Sequence, residues 1–271
     1  MAPAIGVGLG ISFCHWASGP DMDALALIAR MAVQPDKARA TLIETLVKDL
    51  KAAGVWNTLD GLYIMAAHDA QAARLNWRGN ILNLTPAAAP IFTVDRGYQG
   101  DGAAAYLTID GTSTDVVRYT IDSASVGLWA NQVVAETGIA LGMSPDYALQ
   151  VIPLSASETL TIRFQNVSGA QSTSVIAGHD GLGMSRGTRE ASDRYFVRSR
   201  GRTRISKVIS TTPGSPTRWP RRLLSGMANG TTMTYSTARI AAAYFGGALT
   251  DAEEVAMDAA LQSYLSAVGG A

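Results

Sequence analysis

The chain has 271 residues, 47% of them hydrophobic and 16% charged, enough apolar content to bury a core and too much for a disordered polymer. Its 22 basic and 22 acidic residues cancel, which excludes a polyelectrolyte acting through net charge. A lone cysteine, Cys14, excludes an internal disulfide framework, and no run approaches the ~20 apolar residues of a membrane span.

Residues 1–20 are small, apolar and uncharged, with no basic stretch ahead of them, so a cleaved secretory signal is not expected. Ile5, Gly6, Val7, Gly8, Leu9 and Gly10 alternate and run into Ile11-Ser12-Phe13, an extended pattern without the strand, turn and helix of a dinucleotide loop. Glycine at every second position permits close backbone approach, as a strand added to a neighbour's sheet edge requires. The segment is therefore expected to anchor the chain to another subunit, in a homo-oligomer. The alternative is burial under the chain's own helices.

Residues 21–74 read as a helical region. Asp21 caps a helix reaching about Ala32, and Gln34-Pro35 breaks it. A second helix begins near Asp36, aligns Leu42, Ile43, Leu46, Val47 and Leu50 on one face, and meets a terminal cap at Gly54. The apolar run from Trp56 to Ala67 is expected to form a third, with Trp56 in the core.

From Leu75 to Leu249 the period shortens. Runs at 105–109, 125–129, 159–164, 194–199, 205–209 and 239–245 are rich in β-branched or aromatic residues and lie between Gly, Ser, Thr, Asp and Asn turns. Many short strands without intervening helices imply an antiparallel sandwich. Thr250 and Glu253 then form a capping box, and Met257, Leu261, Tyr264, Leu265 and Val268 stripe a final helix ended by Gly269. Residues 75–271 thus read as one mainly β domain with the last helix packed outside.

Several segments form an ordered series: Leu59-Asp60-Gly61-Leu62-Tyr63 within 50–63, Asn76-Trp77 closing 66–77, the stretch 92–102, then 123–129 and 235–253. Together they resemble a family of phage and prophage structural proteins with a concanavalin A-like (laminin-G-like) jelly-roll domain. The resemblance spans roughly residues 20–270. It implies a virion component of tail, fibre or particle surface, assembled in the bacterial cytoplasm among other virion proteins. It supplies no catalytic residues and no cofactor.

One stretch departs from that pattern. Between Arg186 and Arg222 lie eleven basic residues, opposed only by Glu190 and Asp193. Arg198, Arg200, Arg202 and Arg204 alternate around Gly201, as in a hairpin tip, while Arg218, Trp219, Arg221 and Arg222 follow two prolines. Arginine's planar fork suits carboxylate or phosphate, so these eight residues are candidate contacts for an anionic partner or a host-surface glycan. The competing reading pairs the arginines with this chain's own acids. Nucleic acid is not expected, because few aromatics interleave with the charge.

Catalytic readings are weaker. Gly183-Met184-Ser185-Arg186-Gly187 matches a nucleophile elbow, but His15, His68 and His179 all precede it and the context is β-rich, so a turn is expected. His179 and Asp180 are adjacent, and adjacent residues on a strand face opposite ways. The histidines are also too dispersed for a local metal motif. A glycosidase would need two facing carboxyls; Glu136 with Glu158 is a possible long-range pair, and Asp110 and Asp115 suit a turn. For calcium, Asp101 and Asp110 are weak candidates, since the sequence has no dense Asp/Asn/Glu loop of the EF-hand type. The leading expectation is a non-enzymatic virion protein without metal or cofactor; the alternative is a glycan-processing jelly-roll enzyme.

Overall fold

The computed structural model describes residues 19–143, 149–164, 173–208, 219–227 and 232–271. The candidate anchor of Ile5, Gly6, Val7, Gly8, Leu9 and Gly10 lies outside the described residues, as does Arg218.

Helix α1 (Met22–Ala29) starts where the Asp21 carboxylate accepts the amide protons of Asp23 and Ala24. Helix α2 (Lys37–Ala52) starts on Asp36 and buries Ile43, Leu46, Val47 and Leu50. The strands follow as β1 (Leu59–Ile64), β2 (Leu84–Ala87), β3 (Ile91–Thr93), β4 (Gly97–Gln99), β5 (Tyr106–Ile109) and β6 (Ala124–Gln132). Next come β7 (Leu141–Gly142), β8 (Leu149–Ile152), β9 (Thr159–Phe164), β10 (Thr173–Ala177), β11 (Gly183–Ala191) and β12 (Arg194–Ser199). The last are β13 (Ile205–Val208), β14 (Arg222–Leu223), β15 (Ser225–Met227), β16 (Met233–Tyr235) and β17 (Arg239–Gly246). Helix α3 (Asp251–Val268) opens with the Thr250–Glu253 capping box and closes on Gly269 at φ +79°.

Among the described residues one sheet runs β13-β12-β11-β6-β17-β4-β3, with β1 also paired to β17. The second runs β10-β9-β8-β7-β14-β5-β2, and β15 with β16 makes a separate hairpin. The fold is thus a mainly β, antiparallel sandwich, preceded by helices and followed by one. Leu107, Leu223, Leu141, Val151 and Ile162 form one register row of the second sheet and are all buried in the common core. No helix among the described residues is long and apolar enough to cross a membrane.

Two expectations change. Trp56 is buried as expected, but Trp56–Thr58 is a single 3-10 turn and Leu59–Ile64 is a strand. β1 is buried at every position, so it lacks the alternation of a half-exposed strand, and a short apolar run does not distinguish strand from helix. Gly61 belongs to this packing: a Cβ there would stand 2.4 Å from Cε1 of Phe245. Because β1 joins the sheet, a boundary between residues 74 and 75 cuts through one continuous core.

Helix α3 covers the outer face of the first sheet and packs against α2, and Tyr264 meets Trp77 edge-on with ring centroids 5.7 Å apart. Arg198, Arg186, Gly127, Tyr244 and Leu62 stand in one register row under it. Gly127 makes room for Tyr244, whose Cε1 would lie 2.4 Å from any Cβ at that position. Arg186 then sits 5.8 Å from the Tyr244 ring centroid, fully buried, and pairs with Asp258 of α3. Arg198 pairs with Asp251 and Glu254, and Arg204 reaches Glu190 at 2.6 Å and Glu254 at 3.0 Å.

Removing one member of a buried ion pair strands the other charge, at a cost of about 3–5 kcal/mol. Asp258→Ala should lower the unfolding free energy in urea by about that amount. Arg186→Met with Asp258→Leu, which removes both charges, should recover most of the loss. A double variant as unstable as Asp258→Ala alone would show that the two charges are not coupled.

Candidate functional site

The structure sorts the eight predicted contact residues into separate groups. Arg198 and Arg204 turn onto the chain's own acids under α3, so the self-paired reading holds for them. Trp219 is 1% exposed and stacks on Phe245 at 5.7 Å between centroids, which removes it from any contact surface. The loop placement was right, but an indole covers too much apolar area to stay outside when the sandwich offers Phe245. Arg200 and Arg202 flank the β12–β13 turn, where Gly201 adopts φ +69° as the hairpin reading expected. Arg221 and Arg222 lie across the second sheet.

On β5 and β14 the alternation turns Leu107, Ile109 and Leu223 inward, leaving Thr108 and Arg222 on the outer face. Register then builds a polar row across the sheet: Thr85, Thr108, Arg222, Gly142, Gln150 and Arg163. The β15–β16 hairpin lies over the middle of this row. Gln150 Nε2 donates to the Met227 carbonyl at 2.6 Å, and a Cβ at Gly142 would meet the Gly226 Cα at 2.8 Å. What stays open is a hollow of about 310 Å³ lined by Thr108, Ile109, Asp110, Gly111, Arg221 and Arg222.

Both arginines in this hollow are laid on aromatic rings. Arg222 stands 4.3 Å from the Tyr106 centroid, and Tyr106 in turn meets Tyr235 at 6.2 Å. Arg221 stands 5.1 Å from the Trp219 centroid. Neither forms an ion pair among the described residues, and both line the hollow with their guanidiniums against the rings. Asp110 accepts the Thr85 hydroxyl at 2.6 Å and supplies an acceptor beside them. Two oriented donors, an acceptor and hydroxyls suit an oxygen-rich, acid-bearing ligand.

The catalytic candidates are placed otherwise. Gly183 to Gly187, expected as a turn, is the first part of β11, and Ser185 shares a register row with the buried Leu128 and Ala243. His179 and Asp180 lie in the connection before β11, not on a strand, so the argument that they face opposite ways does not apply. His179 Nε2 is 3.4 Å from Ser185 Oγ, and its Nδ1 is 3.8 Å from Asp180. Ser185 is nevertheless 0% exposed, so no substrate carbonyl reaches its oxygen in this arrangement.

The carboxylates are committed elsewhere. Glu136 accepts the Ser236 hydroxyl at 2.5 Å and the Thr237 amide and hydroxyl at 2.9 and 2.8 Å, which pins the turn into β17. Asp115 closes a capping box with Thr112, the turn role expected of it. Asp101 accepts the amide protons of Ala104, Ala105 and Ala103, each at 2.8 Å, and these hold its carboxyl down to about 2. Among the described residues no group of three or more His, Cys, Asp or Glu gathers around a point that a metal ion would fill.

No protein-family model and no curated protein matches this sequence. Solved structures do share its shape. Domain 4 of a GH43 extracellular arabinanase from Geobacillus stearothermophilus, in complex with arabinotriose, aligns at TM-score 0.50 and 12% identity, over 74% of this chain and 98% of that one. A mutant Trypanosoma rangeli sialidase displaying trans-sialidase activity aligns at TM-score 0.48 and 11% identity, over 84% of this chain and 40% of that one. The arabinanase domain establishes the sandwich fold.

Two outcomes follow. Ser185→Ala should leave the rate on activated ester substrates unchanged with folding intact; a loss confined to that variant would reinstate the nucleophile. The Asp101 carboxyl is depressed in the folded chain, so its contribution is complete above the ordinary value of about 3.9 and is lost as pH falls through about 2. The protection of the Ala103, Ala104 and Ala105 amides against exchange, measured by NMR relative to their unfolded-chain rates from pH ~4 to ~2, should fall ahead of global unfolding. In Asp101→Ala these amides should exchange fast throughout.

Proposed function

We propose that this chain is a non-enzymatic structural protein of a phage or phage-like particle, a tail, fibre or surface component present as a homo-oligomer. Its sandwich contacts an acid-bearing host-surface glycan or a neighbouring virion protein. The observation that carries the contact is the Arg221–Arg222 pair, oriented by Tyr106 and Trp219 in an open hollow and without a carboxylate partner among the described residues. Arg186, Arg198 and Arg204 have their acids; among the described residues these two have none. The particle assignment rests on the ordered sequence likeness to phage structural proteins. The arabinanase domain, of the same fold, was solved with arabinotriose, so the scaffold is compatible with a sugar ligand.

A non-enzymatic role is favoured by the way the carboxylates are used. Glu254 is tied to Arg204, Arg198 and Thr188, Glu136 to Ser236 and Thr237, and Asp110 to Thr85, which leaves none of them as a facing acid and base.

Labelling the protein and imaging intact particles tests the assignment: label at a fixed position and copy number supports it, and label absent from particles overturns it. Arg221→Ala with Arg222→Ala tests the contact. The pair should lower binding to acid-substituted envelope glycans about tenfold or more without changing the unfolding midpoint. Unchanged binding would move the contact away from this hollow.

A further inference from the structure

Residues 178–182 connect β10 of the second sheet to β11 of the first, beside the β12–β13 turn. The two loops enclose an open hollow of about 210 Å³, lined by Gly178, His179, Asp180, Leu182, Arg200 and Arg202. Arg202 is fixed by donating to the carbonyls of Ala177, at 3.2 Å, and Gly178. Arg200 lays its stem over Gly183, where φ is +77° and a Cβ would meet the Arg200 Cδ at 2.3 Å. Its guanidinium has no ion-pair partner among the described residues. His179 is 7% exposed, with its ring between Ser185 Oγ and Asp180.

We propose that this hollow binds one oxyanion, the carboxylate of an acidic sugar or a phosphate monoester, with Arg200 and Arg202 as its charged donors and His179 as a third. Two arginines line it against one carboxylate, Asp180, which is turned toward solvent and accepts the Leu182 amide proton at 3.0 Å. Glycine at 183 is what lets the Arg200 stem lie flat against β11, and Arg200 lines the hollow together with His179. The site is separate from the Arg221–Arg222 hollow and does not depend on the particle assignment.

The histidine makes the binding pH-dependent. Burial, and to a lesser degree Arg202 and Arg200, holds its imidazole below the ordinary value, with Asp180 opposing them. These groups and the Ser185 hydroxyl are what face it from its own loop, from β11 and from the β12–β13 turn. At neutral pH the ring is therefore uncharged. An anion seated among the guanidiniums favours the imidazolium, so binding takes up a proton and tightens as pH falls.

The test uses the full chain and three probes: sulfate, D-galacturonate and glycerol phosphate. The chain has three histidines, so Nε2 and Cε1 NMR signals of His179 are assigned by comparison with His179→Gln. Saturable shifts of His179 alone, with affinity rising from pH ~7.5 to ~5.5 for sulfate or galacturonate, are expected. Whichever of galacturonate and glycerol phosphate binds more tightly names the source of the anion. Arg200→Ala, an exposed substitution, should weaken binding about tenfold or more. His179→Gln, followed through the Gly178 and Leu182 amides, should still bind but lose the pH dependence. Sulfate binding with neither organic probe bound means an adventitious ion only and overturns the proposal. So does an affinity unchanged in Arg200→Ala, or equal shifts at all three histidines.

Discussion

The structure depends on the ion pair between Arg186 and Asp258. Arg186 and Arg198 are cross-strand partners on one face of the first sheet, so two guanidiniums stand side by side where like charges repel. A sheet face covered by a helix cannot hold them unless that helix brings acids. Asp251, Glu254 and Asp258 of α3 fall at spacings of three and four, on one side of the helix, and meet Arg198, Arg204 and Arg186. The position of α3 is thereby fixed in register as well as in contact. Its remaining face, with Met257, Leu261, Tyr264 and Leu265 buried, can then receive α2 and Trp77. The basic sheet face and the acidic helix face neutralise each other locally.

The residues that carry the sequence likeness have structural tasks of the same kind. Asp60 on β1 accepts the amide protons of Val117, Arg118 and Tyr119, at 3.1, 3.0 and 2.7 Å, and so ties the loop before β6 to the sheet. Asn76 accepts from the Leu62 and Arg78 amides and donates to the carbonyls of Asp60 and Ile81. Buried polar groups with every partner in place define a single arrangement of the chain. They say how the fold is kept and nothing about what it touches.

This explains which parts were legible beforehand. Helix caps at Asp21, Asp36, Thr250 and Gly269 are local chemistry, and strict alternation at 159–164 is local too; both appear in the structure as read. The strand at 59–64 was misread because burial on both faces erases the alternation that marks a strand. The fate of each arginine was not legible, since it turns mainly on pairing with α3 acids more than 40 positions away. A partial signal was present in the acid spacing at 251, 254 and 258, set against a stretch from Arg186 to Arg204 that outnumbers its own acids. Matching those two patterns would have assigned Arg198 and Arg204 to the fold.

The same physics separates the arginines that remain. Within Arg198, Arg200, Arg202 and Arg204, the first lies on the strand face under α3 and the last curls back from β13 to Glu190 and Glu254, with its guanidinium 4.6 Å from the Phe196 ring. The strand ends at Ser199, and Gly201 reverses the chain, so Arg200 and Arg202 fall where no helix lies over them. Arg221 and Arg222 escape in another way, by belonging to the sheet that α3 does not cover. A guanidinium beneath the helix is neutralised by design of the fold. Arg200, Arg202, Arg221 and Arg222 lie beyond it and, among the described residues, are held in place by aromatic rings, carbonyls or a glycine instead of by acids.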